Sequence, residues 1–264
     1  FQRHELQASR AFAGGLLGIT ALSMLVTQLD RLLLSTLRPL EDVGYFTLAL
    51  TVAAGLGRLV QPMFNAVYPR FSRLVATNDT EAQRRLYHLA SQYLSVIVAS
   101  ASAVLIAFPR TTLVLWTGDA TTADSVAMPM VLLIGGYFLN RNINLAYALQ
   151  LAHGWTGLAM GMNVLALCVC LPLGLSLVST HGITGAAWLW LVTNIMLSLV
   201  GLPLMHRRIL PGDLVSWLRE SIVPPILTAT CAAAACAWLM PGLKRDLAGL
   251  GWLILASGIT LGLA

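Results

Sequence analysis

Residues 12–37 read FAGGLLGITALSMLVTQLDRLLLSTL. This run is long enough for a lipid-spanning helix, because roughly 20 mostly apolar residues cross the hydrocarbon core of a bilayer. It nevertheless contains two adjacent ionisable residues, Asp30 and Arg31. A charge at the bilayer centre costs at least about 2.5–3.5 kcal/mol, so such residues are retained where they face water or a partner and not lipid. The run therefore predicts a membrane helix with one polar face on a cavity.

The composition predicts an all-α polytopic membrane protein. The 264-residue chain is 57% hydrophobic and only 10% charged, whereas soluble domains carry about 25% charged residues. Its net charge of +5 does not indicate a nucleic-acid partner, because the basic residues lie mostly in short segments between apolar runs, where they orient helices. We expect no cofactor and no metal, since the four cysteines lie in apolar runs without partners at metal-ligand spacing: Cys168, Cys170, Cys231 and Cys236.

Eight apolar runs are candidate transmembrane helices: about 12–37, 43–68, 90–108, 127–149, 157–178, 183–204, 221–240 and 247–264. The segment between the second and third, residues 70–88, has basic and apolar residues interleaved and predicts an amphipathic surface helix or helical loop. The segment 110–127 predicts a turn with Trp116 at the interface. Because the chain begins at Phe1 and its last run reaches Ala264, we expect it to be the C-terminal half of a longer transporter.

The distribution of basic residues predicts that the N-terminus is cytoplasmic. With that orientation nine basic residues are cytoplasmic and four lie on the opposite side, which agrees with the positive-inside rule. The nine are Arg3, Arg10, Arg70, Arg73, Arg84, Arg85, Arg207, Arg208 and Arg219, and the four are Arg38, Arg110, Lys244 and Arg245. The remaining three, Arg31, Arg58 and Arg141, lie inside predicted spans.

Each of these three arginines belongs to a polar stripe with helical spacing. The stripes are Thr20, Ser23, Thr27, Gln28, Arg31 and Ser35, with Asp30 at the edge; Thr47, Thr51, Arg58, Gln61 and Asn65; and Tyr137, Asn140, Arg141, Asn144 and Tyr147. We expect the three faces to share a hydrated, cationic cavity. Arginine suits an anion such as phosphate there, because its planar fork of donors never loses its charge.

Structural interpretations of the same residues remain open at this point. Asp30 either neutralises Arg31 or pairs with Arg58 across helices. Arg31 and Arg141 can also extend along their helices to the membrane interface. The asparagines can serve only to bond one helix to another. Arg58, near the middle of its predicted span, is the hardest of the three arginines to explain structurally.

Three stretches resemble the C-terminal half of polysaccharide (O-antigen, Wzx-type) flippases of the MATE-like MOP exporter superfamily. The first is Gln28-Leu29-Asp30-Arg31, followed by Val43-Gly44-Tyr45-Phe46-Thr47-Leu48-Ala49. The second is Tyr68-Pro69-Arg70-Phe71-Ser72-Arg73-Leu74. The third is Asn163, followed by His181-Gly182-Ile183-Thr184-Gly185-Ala186-Ala187. Together they cover about residues 12–203.

The resemblance implies two six-helix lobes around a central cavity in a bacterial inner membrane. Residues 1–204 would be the second lobe, and residues 205–264 a cytoplasmic loop with two further transmembrane helices. The protein would be a transporter and no enzyme, and it would flip an undecaprenyl-diphosphate-linked oligosaccharide by alternating access. Its partners would be membrane lipids and polysaccharide polymerase or chain-length machinery. Arg31, Arg58 and Arg141 would hold the diphosphate or acidic sugars. Gln28, Asn65, Asn140 and Asn144 would contact sugar hydroxyls, and Asp30 would couple H⁺ or Na⁺.

Three other functions compete with this one. The first is a lipid II flippase of the same superfamily, which would bind its substrate by similar interactions. The eight helices predicted here would complete a fourteen-helix protein of this kind if six helices precede them. A multidrug/cation antiporter of the same fold is disfavoured, because cationic drugs require an acidic lumen and only Asp30 supplies an acid. An integral-membrane glycan-processing enzyme is disfavoured, because the sequence has no loop that clusters carboxylates or histidines at catalytic spacing. Asp119 and Asp124 occupy a short segment without evident partners.

Overall fold

The computed structural model describes residues 3–239, and these form long helices joined by short turns. The described residues are almost entirely helical, which confirms the all-α class. Six helical segments, the last of them the continuous run Leu214–Trp238, are long and apolar enough to cross a membrane, as expected for a multi-pass membrane protein. The helices are α1 (Arg3–Leu37), α2 (Leu40–Ala76), α3 (Thr80–Ala107), α4 (Pro109–Thr117), α5 (Ala120–Ala152), α6 (Gly157–Ile209), α7 (Leu214–Trp217) and α8 (Val223–Leu239), with a π-helical turn, Leu218–Ile222, before α8. The predicted span 247–264 lies outside the described residues.

Helix α6 is two antiparallel arms, 157–181 and 183–209, separated by a break at Gly182. Gly182 has φ +57° and ψ −131°, a left-handed φ that side chains disfavour. Arg38, between α1 and α2, closes the first arm: its Nε donates to the Val178 carbonyl at 3.1 Å and its Nη2 to that of Ser179 at 2.8 Å. A cation on terminal helix carbonyls is favourable. The break confirms the predicted separation of residues 157–178 from 183–204.

Helix α5 is the central element and packs on both α2 and α6, while α1 packs on α6. Two apolar clusters hold this arrangement. One joins α1, α2, α5 and α6 around side chains such as Leu34, Phe46 and Met130. The other joins α2, α3, α5 and the α6–α8 region around Phe71, Tyr87 and Trp217.

The prediction of an amphipathic surface helix at residues 70–88 is wrong. Helix α2 continues through Pro62 and Pro69 to Ala76, a turn follows at 77–79, and α3 begins at Thr80. Asp79 caps α3, since its Oδ1 accepts from the Ala82 N–H at 2.9 Å. The segment does not form a surface helix, because its apolar residues Phe71 and Tyr87 are fully buried inside the bundle, Tyr87 against His206 and Trp217.

The segment 110–127 contains a short helix and not only the predicted turn. Pro109 starts α4 at a position where no N–H is needed, and Gly118, with φ +79°, ends it. Trp116 is exposed, and its position at the membrane interface stays a prediction. Asp119 then caps α5, and the hydrogen bonds that it accepts from Thr122 and Thr121 lower the pKa of its carboxyl.

Three contacts tie one end of the bundle together. His153 Nε2 bonds Gln83 Oε1 at 2.9 Å, Arg84 Nε donates to Asp213 Oδ1 at 2.6 Å, and the Arg208 guanidinium lies 4.2 Å from the centre of the Trp155 ring. Most of the basic residues predicted to be cytoplasmic are near this end. The orientation of this end relative to the cytoplasm stays a prediction.

Asp213→Ala is expected to destabilise the attachment of α7 and α8 to α3. Asp213 is buried and binds both Arg84 and His88, the latter at 2.8 Å. Hydrogen bonds to charged groups contribute about 1.5–3 kcal/mol each, and the half-exposed Arg84 regains water when unpaired, so we expect a loss of about 2–3 kcal/mol. Thermal unfolding of the purified protein measures it.

Asp124→Ala is the matched control for Asp213→Ala. Asp124 pairs with Arg110 at 2.6 Å, but both side chains are 59% exposed. Exposed ion pairs contribute about 0–1 kcal/mol, so this variant should unfold close to the wild-type temperature. Equal losses in the two variants would contradict the structural role assigned to Asp213.

Candidate functional site

The predicted polar stripe of α2 forms an exposed face. Its five members, Thr47, Thr51, Arg58, Gln61 and Asn65, are all exposed, while the opposite side of the helix is buried against α5. Gln61 Nε2 donates to Asn65 Oδ1 at 3.1 Å. Within the described part of the chain, no carboxylate lies within 4.0 Å of Arg58. This face therefore presents an unneutralised cation and two amides.

Arg58 is the middle residue of α2, equally far from Leu40 and Ala76. At 1.5 Å per residue it lies about 27 Å from either end of the helix. An arginine side chain cannot extend over that distance to either end of α2. Arg31 is only six residues from Leu37, about 9 Å from the end of α1, so an extension of its side chain to the membrane interface stays an alternative.

The polar stripe of α1 is exposed in part. Thr20, Thr27, Arg31 and Ser35 are exposed, Ser23 and Gln28 are half-buried, and Asp30 is buried. Asp30 Oδ1 accepts from the Arg31 backbone N–H at 2.8 Å. Among the described residues, Asp30 forms no ion pair within 4.0 Å, so neither the pair with Arg31 nor the pair with Arg58 is present.

Tyr137 of α5 connects the charged turn of α1 to the turn of α2 that carries Arg58. Its ring lies 3.5 Å from where a Cβ on Gly57 would stand, and it is close enough to Asp30 and Arg31 to interact with both charges. On its other side it packs on Trp190, with ring centres 5.0 Å apart. Tyr137 therefore lies between the Asp30–Arg31 turn of α1 and the Gly57 position of α2, one residue before Arg58.

Arg141 does not join these two arginines, and the prediction that it faces a shared cavity is corrected here. Its side chain is fully buried against α3, where Nη1 donates to the carbonyls of Leu94 at 3.3 Å and Ser95 at 3.2 Å. Its guanidinium lies 4.0 Å from the centre of the Phe138 ring. Adjacent residues of a helix point about 100° apart, so Asn140 faces α6 while Arg141 faces α3.

A cavity of about 370 Å³ lies between α1, α5 and the two arms of α6. Two of the predicted amides line it: Asn140 Nδ2 donates to Asn194 Oδ1 at 2.8 Å, and Asn144 Nδ2 to Asn140 Oδ1 at 2.6 Å. Gln28, Asn65 and the three arginines are not among its lining residues. The predicted cationic site is therefore divided into an exposed face with arginines and a cavity with amides.

Sequence reasoning missed part of this cavity. Its wall includes four polar residues that were not predicted site residues: Gln150, Asn163, Thr193 and Asn194. The available signal was the pair Thr193-Asn194 inside an otherwise apolar run. The pair does not belong to any of the three predicted polar stripes. Spacing alone therefore does not show whether Thr193 and Asn194 line a cavity or only form a hydrogen bond between two helices.

The remaining candidate groups have structural roles. Asp119 caps α5 and Asp124 pairs with Arg110, so the two acids that seemed without partners both have one. Cys170 is buried, with Sγ 2.9 Å from Thr193 Oγ1, as expected for a packing residue. No group of three or more possible metal ligands occurs within residues 3–239.

No protein-family model, no curated protein and no solved structure matches the chain. The fold and the site therefore define only the class of protein. It is a polytopic, all-helical membrane protein with a cationic face and an amide-lined cavity.

Proposed function

We propose that the chain is one lobe of a MATE-like flippase that moves an undecaprenyl-diphosphate-linked oligosaccharide across a bacterial inner membrane by alternating access. The exposed faces of α1 and α2 line the path of the lipid-linked head group. Arg31 and Arg58 bind its diphosphate, and Gln28 and Asn65 contact neighbouring hydroxyls. The basic end of the bundle, around Arg84 and Arg208, lies in the cytoplasm.

The observation that carries this proposal is Arg58, exposed at the middle of the 37-residue apolar helix α2. An intramembrane arginine facing lipid would be strongly unfavourable, so its face is best explained by a water-filled path or a second lobe. The Asp30 carboxylate is buried and bonded to the backbone of α1, so it leaves Arg58 without a counter-ion. A mobile anion completes the charge balance, and phosphate fits the planar donors of arginine.

The composition of the exposed face favours an anion over the cationic substrates of a multidrug antiporter. Arg31 and Arg58 are exposed, whereas Asp30 is 4% exposed. A cation would meet two positive charges before it met the acid. Lipid II is also a prenyl diphosphate with sugars, and it is the second substrate that this face fits.

Flipping by the reconstituted protein tests the proposal. The protein that contains this chain is placed in proteoliposomes with a fluorescent undecaprenyl-diphosphate oligosaccharide, and the fraction accessible to an external quencher is followed. We expect protein-dependent flipping of this lipid or of lipid II, and no export of a cationic dye. Dye export without lipid flipping would contradict the proposal. If Asp30 couples an ion, Asp30→Asn should alter the pH or sodium dependence of flipping.

A further inference from the structure

Among the residues that the structure describes, the amide-lined cavity between α1, α5 and α6 has no charged side chain in its lining. Its polar groups are amides and hydroxyls: Thr20, Ser23, Thr27, Asn140, Asn144, Gln150, Asn163, Thr193 and Asn194, with the rings of Tyr147 and Trp190 in the same wall. A wall of this kind does not suit a diphosphate, which would require cationic donors. It suits a ligand that is neutral and both donates and accepts hydrogen bonds.

The cavity retains hydrogen-bonding capacity that the protein does not use. Asn140, Asn144 and Asn194 form a chain of amides. Asn144 Nδ2 donates twice, to Asn140 Oδ1 at 2.6 Å and to the Asn140 carbonyl at 3.0 Å, whereas Asn140 and Asn194 each donate once, Asn194 to the Trp190 carbonyl at 2.9 Å. An amide nitrogen carries two hydrogens, so one remains on Asn140 and one on Asn194. Gln150 lines the same wall, and its Oε1 has no partner among the described residues. That oxygen has almost no exposed surface, so the Gln150 side chain must turn for a ligand to reach it. Buried polar groups are ordinarily bonded, so an unused acceptor beside a cavity indicates a missing partner.

The cavity adjoins the arginine face along α1. Thr27 lines the cavity, and Arg31, four residues later, lies on the same side of the helix about 6 Å further along the axis. Ser23, which also lines the cavity, is one turn further from Arg31. A diphosphate held at Arg31 would therefore place the sugar attached to it beside Thr27, at the part of the cavity nearest to Arg31 on α1.

We propose that this cavity is a binding site for neutral saccharide units, separate from the diphosphate site on the arginine face. This inference rests on the proposed function for its biological context, but its chemistry depends only on the cavity. Its volume of about 370 Å³ lies within the range of about 300–1,000 Å³ typical of small-ligand pockets. Saccharide hydroxyls use both the free amide hydrogens and the free amide oxygen.

Direct binding to the complete protein in lipid nanodiscs tests the proposal with two probes. Chitobiose, a neutral disaccharide, reports on the cavity, and farnesyl diphosphate, which has no sugar, reports on the arginine face. Asn144→Leu and Asn163→Leu should each weaken chitobiose binding about tenfold, the effect of losing one or two hydrogen bonds, and leave farnesyl diphosphate binding within about twofold. Arg58→Ala should do the reverse.

Asn142→Leu is the matched control, because Asn142 lies on the same helix and is buried, but does not line the cavity. It should leave chitobiose binding unchanged. No saturable chitobiose binding by the wild-type protein, or wild-type affinity in both Asn144→Leu and Asn163→Leu, would overturn the proposal. Chitobiose binding without farnesyl diphosphate binding would support the saccharide site and count against the proposed flippase.

Discussion

Gly185→Ala is expected to prevent the two arms of α6 from packing together. A Cβ at position 185 would overlap the backbone carbonyl oxygen of Leu177 on the other arm. Backbone atoms cannot rotate away as a side chain can, so the arms would have to separate and disrupt the contacts of α6 with α1 and α5. Overpacking of side chains costs about 1–3 kcal/mol, and a backbone clash should exceed that range. The measurement is thermal unfolding of the detergent-solubilised protein.

Gly161→Ala is the control for this substitution. Gly161 is also in α6, and an added Cβ there meets no atom within 4 Å. Alanine favours a helix over glycine by about 1 kcal/mol, so this variant should be as stable as the wild type or more stable. A wild-type unfolding temperature for Gly185→Ala would mean that the arms do not approach as described.

Arg58→Ala is expected to abolish export of surface polysaccharide without loss of membrane insertion. In the proposed mechanism Arg58 holds the diphosphate, and the alanine removes both the cation and the planar set of donors that would bind it. Arg58→Lys keeps the charge but not the planar fork and should retain only part of the activity. Surface polysaccharide is measured in cells that lack the wild-type protein, with membrane content followed by immunoblot.

The matched control is Leu59→Ala, which changes the neighbouring, partly exposed residue of the same helix. Surface polysaccharide should remain at the wild-type level in this variant. Wild-type levels in both Arg58 variants would remove Arg58 from the transport mechanism.

The long helices were predictable because their apolar runs and polar stripes have the helical period. The five polar residues of α2 lie on one exposed face, and the break at Gly182 falls between two predicted spans. The end of α2 was not predictable in this way, because prolines such as Pro62 and Pro69 often mark the end of a helix. Burial of Phe71 in the second apolar cluster stabilises the helix beyond both prolines.

The candidate site was predictable only in part, because spacing does not show which neighbour a residue faces. Asn140 and Arg141 are adjacent and polar, yet one faces α6 and the other α3. The contribution of Asn194 could not be found from the sequence either, because it depends on the second arm of α6 folding back onto α5. A long-range contact of this kind has no signature in local spacing.

The most direct test of the account is whether the Arg58 face is hydrated within the membrane. In a variant whose native cysteines are replaced, Arg58→Cys and Leu59→Cys are treated with a membrane-impermeant thiol reagent. Residues 58 and 59 are both exposed on the lobe, so only lipid or water around them distinguishes their reactivity. We predict rapid labelling at position 58 and little at position 59. No labelling at position 58, or equal labelling at both, would contradict the account.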